Sequence, residues 1–93
     1  MDIQAEFESH NSNYTPFESL ENKRSNCAEI HAFLILNELV PTDRMIESAE
    51  HDKIWLSVNI EALSKVITSE QIRELSICGV FYDDDIELLA MYR

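Results

Sequence analysis

Only one glycine, Gly79, and two prolines, Pro16 and Pro41, occur in this chain of 93 residues. That scarcity excludes a phosphate cradle of the P-loop or dinucleotide-binding kind, because either is built from several glycines at fixed spacing. It also favours order along most of the length: 45% of the residues are apolar, whereas disordered chains are poor in them. Cations are scarce too. Seven Lys and Arg stand against 18 Asp and Glu, giving a formal net charge of -11 and a pI near 4.4. Binding to nucleic acid or to anionic lipid needs Lys and Arg for the phosphates, so direct contact with either is not expected.

Long apolar runs are missing as well. Nothing approaches the roughly 18 to 20 residues that cross a bilayer, and the acidic opening MDIQAEFESH lacks the basic-then-apolar order of a secretory signal. The expected location is the cytoplasm. Cys27 and Cys78, the only cysteines, have neither zinc nor redox spacing, and a reducing compartment leaves them as free thiols.

The length suits one small domain with a single core. Residues 1–24 mix Asn, Ser, Pro and aromatic residues without periodicity and read as an irregular arm with room for short helical turns, docked through Phe7, Tyr14 and Phe17, ahead of one α+β domain over 25–93. A helix is expected from Asn26, as cap with Glu29 reaching back, to Leu39 before Pro41. Its AFLILNELV stretch is apolar around most of the circumference, the pattern of a central core helix. Residues 42–50 suggest a short helix capped by Thr42 or Asp43. KIWLSVNI alternates as a strand, with Ile54, Leu56, Val58 and Ile60 on one side and Trp55, Ser57 and Asn59 on the other. EALSKVI reads as a helix opened near Asn59, and TSEQ as a capping box in which Thr68 and Gln71 start a helix ending at Gly79.

The final FYDDDIELLAMYR reads as a β-hairpin turning at Asp83, Asp84 and Asp85, since Asp accepts local hydrogen bonds and tolerates turn geometry. A three-residue loop places Val80, Tyr82, Ile86, Leu88, Ala90 and Tyr92 on one face, and Phe81, Glu87, Leu89 and Met91 on the other. The expected fold is therefore a three-stranded, mainly antiparallel sheet with a central core helix and shorter helices on one face. Trp55, Phe81, Leu89 and Met91 would then form an apolar outer face, covered by the N-terminal arm or by a second copy of the chain in a homodimer.

Catalytic signatures are weak. Cys27 and His31 lie four apart on one helical face, the spacing at which a thiolate and an imidazole can meet, but no oxyanion-hole motif accompanies them. His51 beside Asp52 reads as a solvated loop pair. Asp83, Asp84, Asp85 and Glu87 could attract a hard cation, yet consecutive residues converge poorly and the EF-hand spacing is missing. No catalytic set, metal site or cofactor is expected.

The charge is then the strongest signal. Carboxylates spread over a rigid surface can imitate the phosphates of nucleic acid and occupy a basic groove, and -11 exceeds the magnitude of about 2 to 8 that solubility requires of a small domain. Asp83, Asp84, Asp85 and Glu87 form one dense group, and Glu47, Glu50 and Asp52 a second. The stretch HDKIWLSVNIEALSKVITSEQIRELSICGVFYDDDIELLAMYR, with the size and charge of the whole, resembles small acidic phage-encoded accessory proteins of the anti-restriction, DNA-mimic type. That resemblance implies a non-enzymatic inhibitor of a host nuclease, CRISPR effector or other DNA-binding enzyme. The other expectation is a protein–protein interaction module, or a dimeric accessory subunit, working through the apolar sheet face.

Overall fold

The computed structural model describes residues 2–10, 16–21 and 23–92. Tyr14, one of the three docking aromatics expected in the arm, lies outside them. Four antiparallel strands form one sheet, in the order β1 (Ile46–Ala49), β2 (Lys53–Leu56), β4 (Leu88–Tyr92), β3 (Val80–Asp83). The helices α1 (Ile3–Glu8), α2 (Ala28–Leu39), α3 (Ile60–Ser64) and α4 (Ser69–Ile77) pack on one face of it. The α+β class and the one-sided helical layer agree with the sequence reading, but the sheet has four strands rather than three.

The fourth strand comes from 46–49, where a helix was expected. Its backbone is held by partners distant from any helical ladder: Ser57 N donates to Met45 O at 2.7 Å, and Glu50 N to Lys53 O at 2.7 Å. Four residues carry too little intrinsic preference to resist such pairing, so long-range hydrogen bonding decides their conformation.

Local signals set the helix starts well. Asn59 accepts from Ala62 N at the head of α3, and Thr68 and Gln71 make the reciprocal capping box of α4. Gly79, at φ 98°, lets the chain leave α4 in the left-handed region and enter β3 at once. At α2 the expectation fails by one residue: Cys27 occupies the cap position, with no side-chain cap bond. Nor is α2 the central helix. It buries the stripe of His31, Ala32, Ile35 and Leu36 and leaves Ile30 and Leu34 exposed. Apolar residues on its outer side disguised a one-sided helix as one surrounded by core.

The core joins sheet and helices in one cluster. Ile54, Leu56, Val80, Leu89 and Met91 rise from the sheet to meet Leu36, Leu63, Ile72 and Leu75. The arm contributes to it: Asp2 caps α1 by accepting from Ala5 N, and the four-residue spacing of Ile3 and Phe7 sends both side chains into the core. Among the described residues the arm therefore covers the helical side of the sheet, not its outer face. The expected docking of Phe7 is present, and Phe17 packs at the core margin.

The hairpin turn differs from the expected one by one residue, and much follows. Asp83 is still in β3, paired with Leu88, and the chain reverses over 84–87 with Glu87 at φ 61° and its N–H donating to Asp83 O at 2.7 Å. Asp85 N also donates to Asp83 Oδ1, an Asx turn. A four-residue reversal shifts the β4 register by one, which moves every β4 side chain to the opposite face. Leu89 and Met91 therefore lie in the core beside Val80 and Tyr82, and Leu88, Ala90 and Tyr92 join Phe81 outside. The expected apolar outer set of Trp55, Phe81, Leu89 and Met91 is corrected to Trp55, Phe81, Leu88 and Tyr92, with Ala90 beneath.

Candidate functional site

The outer face of the sheet is built by period-2 alternation from Lys53 and Trp55 of β2, Phe81 and Asp83 of β3, and Leu88, Ala90 and Tyr92 of β4. Trp55, Ala90 and Phe81 stand in one row across three strands. Small Ala90, between the two large rings, leaves space into which Lys53 leans. Its ammonium lies 5.1 Å from the Trp55 ring centre and 5.7 Å from that of Phe81, within cation–π range. Phe81 in turn stacks on Tyr92, with ring centres 4.9 Å apart and planes inclined by 25°. The stack ends in solvent: Trp55 is 9% exposed and Tyr92 63%.

Asp83 anchors this group. Trp55 Nε1–H donates to its Oδ2 at 2.9 Å, and Lys53 Nζ lies 3.5 Å from the same oxygen. The indole hydrogen bond is the main cause holding the Asp83 carboxyl below the usual range, against burial and with help from Asp85 N and Lys53. Asp83, Asp84 and Asp85 bring one oxygen each within 4.8 Å of one another, closer together than consecutive positions suggested. Both Asp83 oxygens, however, already accept protein hydrogen bonds. The structure thus divides the expected group: Asp83 is a structural member of the outer face, while Asp84, Asp85 and Glu87 are exposed on the turn.

The second expected group, Glu47, Glu50 and Asp52, is exposed on β1 and the β1–β2 turn. Because β2 and β4 are antiparallel, with Lys53 opposite Tyr92 and Leu56 opposite Leu89, that turn and the 84–87 turn lie at opposite ends of the sheet. The outer face is bracketed by carboxylates at both ends. Further acidic residues not singled out from sequence gather on the helical side, where Glu21, Glu70 and Glu74 line one groove, and Asp2 and Glu61 join Glu87 of the expected first group in another. Their convergence comes from tertiary packing of separate segments, which no local spacing encodes. Tyr82 registers the field at the second groove: burial first, then Glu87, Asp84 and Asp2, raises its phenol above the ordinary range. Among the described residues, Lys and Arg ion pairs engage Glu38, Glu70 and Asp83.

Cys27 and His31 are not arranged as nucleophile and base. Exposed Cys27 donates through Sγ to Glu29 Oε2 at 2.8 Å, and this bond is the first cause lowering the Glu29 carboxyl. His31 is 3% exposed and points the other way, its Nδ1 accepting from Arg24 N at 3.0 Å. An accepting Nδ1 places the neutral ring's proton on Nε2, which faces Glu74 Oε2 at 3.6 Å, beyond hydrogen-bond reach. Phe17 meets the ring edge-on at 5.8 Å. His31 thereby fastens the segment before α2 to the body. Cys78 is buried, and desolvation, followed by Glu74 and Glu29, pushes its thiol up to about 12. His51 is exposed in the β1–β2 turn.

Comparison with known proteins returned nothing: no family, no curated protein and no solved structure matches this chain. Among the described residues no helix is long and apolar enough to cross a membrane.

Proposed function

We propose that the chain is a non-enzymatic acidic inhibitor that binds the basic nucleic-acid-binding surface of another protein and competes there with DNA. In its most specific form this is a phage-type protein acting in the host cytoplasm on a nuclease, CRISPR effector or other DNA-binding defence enzyme. The observation that carries the reading is the excess of carboxylates held on a folded surface: 18 acidic residues against seven basic, with exposed members on α1, on β1, on both sheet turns and around α4. Held in place by secondary structure, such charges present a fixed negative potential to a positive groove and raise the association rate.

A second reading, an interaction module using the outer sheet face, is favoured by the solvent-facing Phe81–Tyr92 stack. The two differ in their response to salt, because screening weakens contacts between exposed charges far more than apolar burial.

The test is displacement of labelled duplex DNA from restriction nucleases and CRISPR effectors at several salt concentrations. Displacement that fades between roughly 50 and 200 mM salt supports the proposal. Failure to displace DNA at the lowest salt from every enzyme tried, with binding to them absent, removes it.

A further inference from the structure

The outer sheet face combines two features that a simple acidic surface lacks. Carboxylates bracket it at both ends, Asp84 and Asp85 at one and Glu50 and Asp52 at the other. Between them runs a pre-assembled aromatic group. Trp55 is fixed by Asp83, Lys53 bridges Trp55 and Phe81, and Phe81 stacks on Tyr92. Tyr92 is opposite Lys53 in the ladder, one residue beyond Asp52, so its exposed ring stands beside the acidic turn.

Single-stranded nucleic acid presents the same combination, a row of negative charges with flat π-faces beside it. Proteins that hold single strands answer with cationic side chains along a groove and aromatic side chains on which bases stack. A rigid stack with one free ring also loses little conformational entropy on docking.

We infer that the outer sheet face is the contact surface, and that its partner is a basic surface bearing an exposed aromatic ring, the make-up of a single-strand-binding site. Tyr92 takes the place of a base on that ring, and the acidic turns take the place of phosphates. This rests on the charge-driven binding proposed above and adds to it the face used and the chemistry of the partner. Among the described residues of the face Lys53 is the one cation, and its charge is held between two rings and the Asp83 carboxylate, which leaves the exposed carboxylates of the turns to set the sign.

The test uses two synthetic probes with the intact protein: a pentapeptide of four lysines with a central tryptophan, and its analogue with a central alanine. Binding is followed by backbone amide shifts. The tryptophan peptide is expected to bind about tenfold more tightly and to shift Phe81, Ala90 and Tyr92 most. Tyr92→Ala should abolish that advantage and leave alanine-peptide binding unchanged, whereas Tyr92→Phe should keep it. Equal binding of the two peptides, with shifts confined to the helical side around Glu21, Glu70 and Glu74, overturns the face inference and leaves the charge proposal standing. A salt-independent dimer whose interface shifts include Tyr92 overturns it too, by assigning the face to a second copy. Binding of neither peptide at low salt overturns both.

Discussion

Trp55 and Asp83 belong to β2 and β3, strands that are not neighbours in the sheet, yet the indole Nε1–H donates to Asp83 Oδ2 at 2.9 Å across the intervening β4. This bond ties the first acidic residue of the hairpin to the aromatic group of the outer face. It makes Asp83 different in kind from Asp84 and Asp85.

The pH dependence follows from it. A carboxyl whose folded value lies below its unfolded value stabilises the fold above the ordinary carboxylate range, and that contribution is lost as pH falls through the depressed value. Urea unfolding of wild type and Asp83→Asn should show a lower midpoint for the variant at neutral pH. The difference should shrink on acidification to about pH 3, below the ordinary value near 3.9. A gap that is constant with pH would show that the charge of Asp83 does not contribute.

Burial of Phe7 makes the N-terminal helix part of the folding unit. Phe7→Ala should destabilise the protein by about 3 to 5 kcal/mol, the usual range for truncating a buried aromatic side chain. Glu8→Ala on the exposed side of the same helix should change stability by less than about 0.5 kcal/mol. Equal, small effects in chemical unfolding would show that α1 does not pack as described.

His31→Phe keeps an aromatic ring against Phe17 but removes the acceptor for Arg24 N. A loss of about 1 to 3 kcal/mol is expected where a backbone donor is left without its partner. Hydrogen exchange gives the specific readout: the Arg24 amide should lose protection in the variant while the amides of α4 keep theirs.

The two cysteines should separate cleanly under alkylation. Exposed Cys27 reacts in the native protein, and Cys78, buried and with its thiol raised to about 12, reacts only on unfolding. Mass spectrometry after brief iodoacetamide treatment at pH 8 should find one adduct, on Cys27. Two adducts at equal rates would show that the α4 end of the core opens readily.

Much of the fold was legible where a local device specified it. The Thr68–Gln71 capping box, the Asn59 cap and the Gly79 exit each act within a few residues, and each is in place, whereas the alternation read over 53–60 is strand only over Lys53–Leu56, because Asn59 and Ile60 are taken up by the start of α3. What escaped depended on distant partners. Strand β1 is held at its two ends by Met45 O accepting from Ser57 N, just past β2, and by Glu50 N donating to Lys53 O. The faces of β4 turned on whether Asp83 closes the turn or ends the strand, and in the structure Asp83 ends the strand, its carboxylate bonded to Trp55, 28 residues away in sequence. The acidic turns were visible as composition, but their placement at opposite ends of one face needed the register.

The central claim is that binding is driven by carboxylates on a fixed surface. Its most direct test is the slope of log affinity against log salt for an inhibited enzyme, with wild type and the variant Asp84→Asn, Asp85→Asn, Glu87→Gln. These residues are exposed, so the variant should fold with nearly unchanged stability. A steep wild-type slope that flattens in the variant, with weaker affinity at low salt, is the predicted result. A shallow slope shared by both proteins, with affinity unchanged, would contradict it.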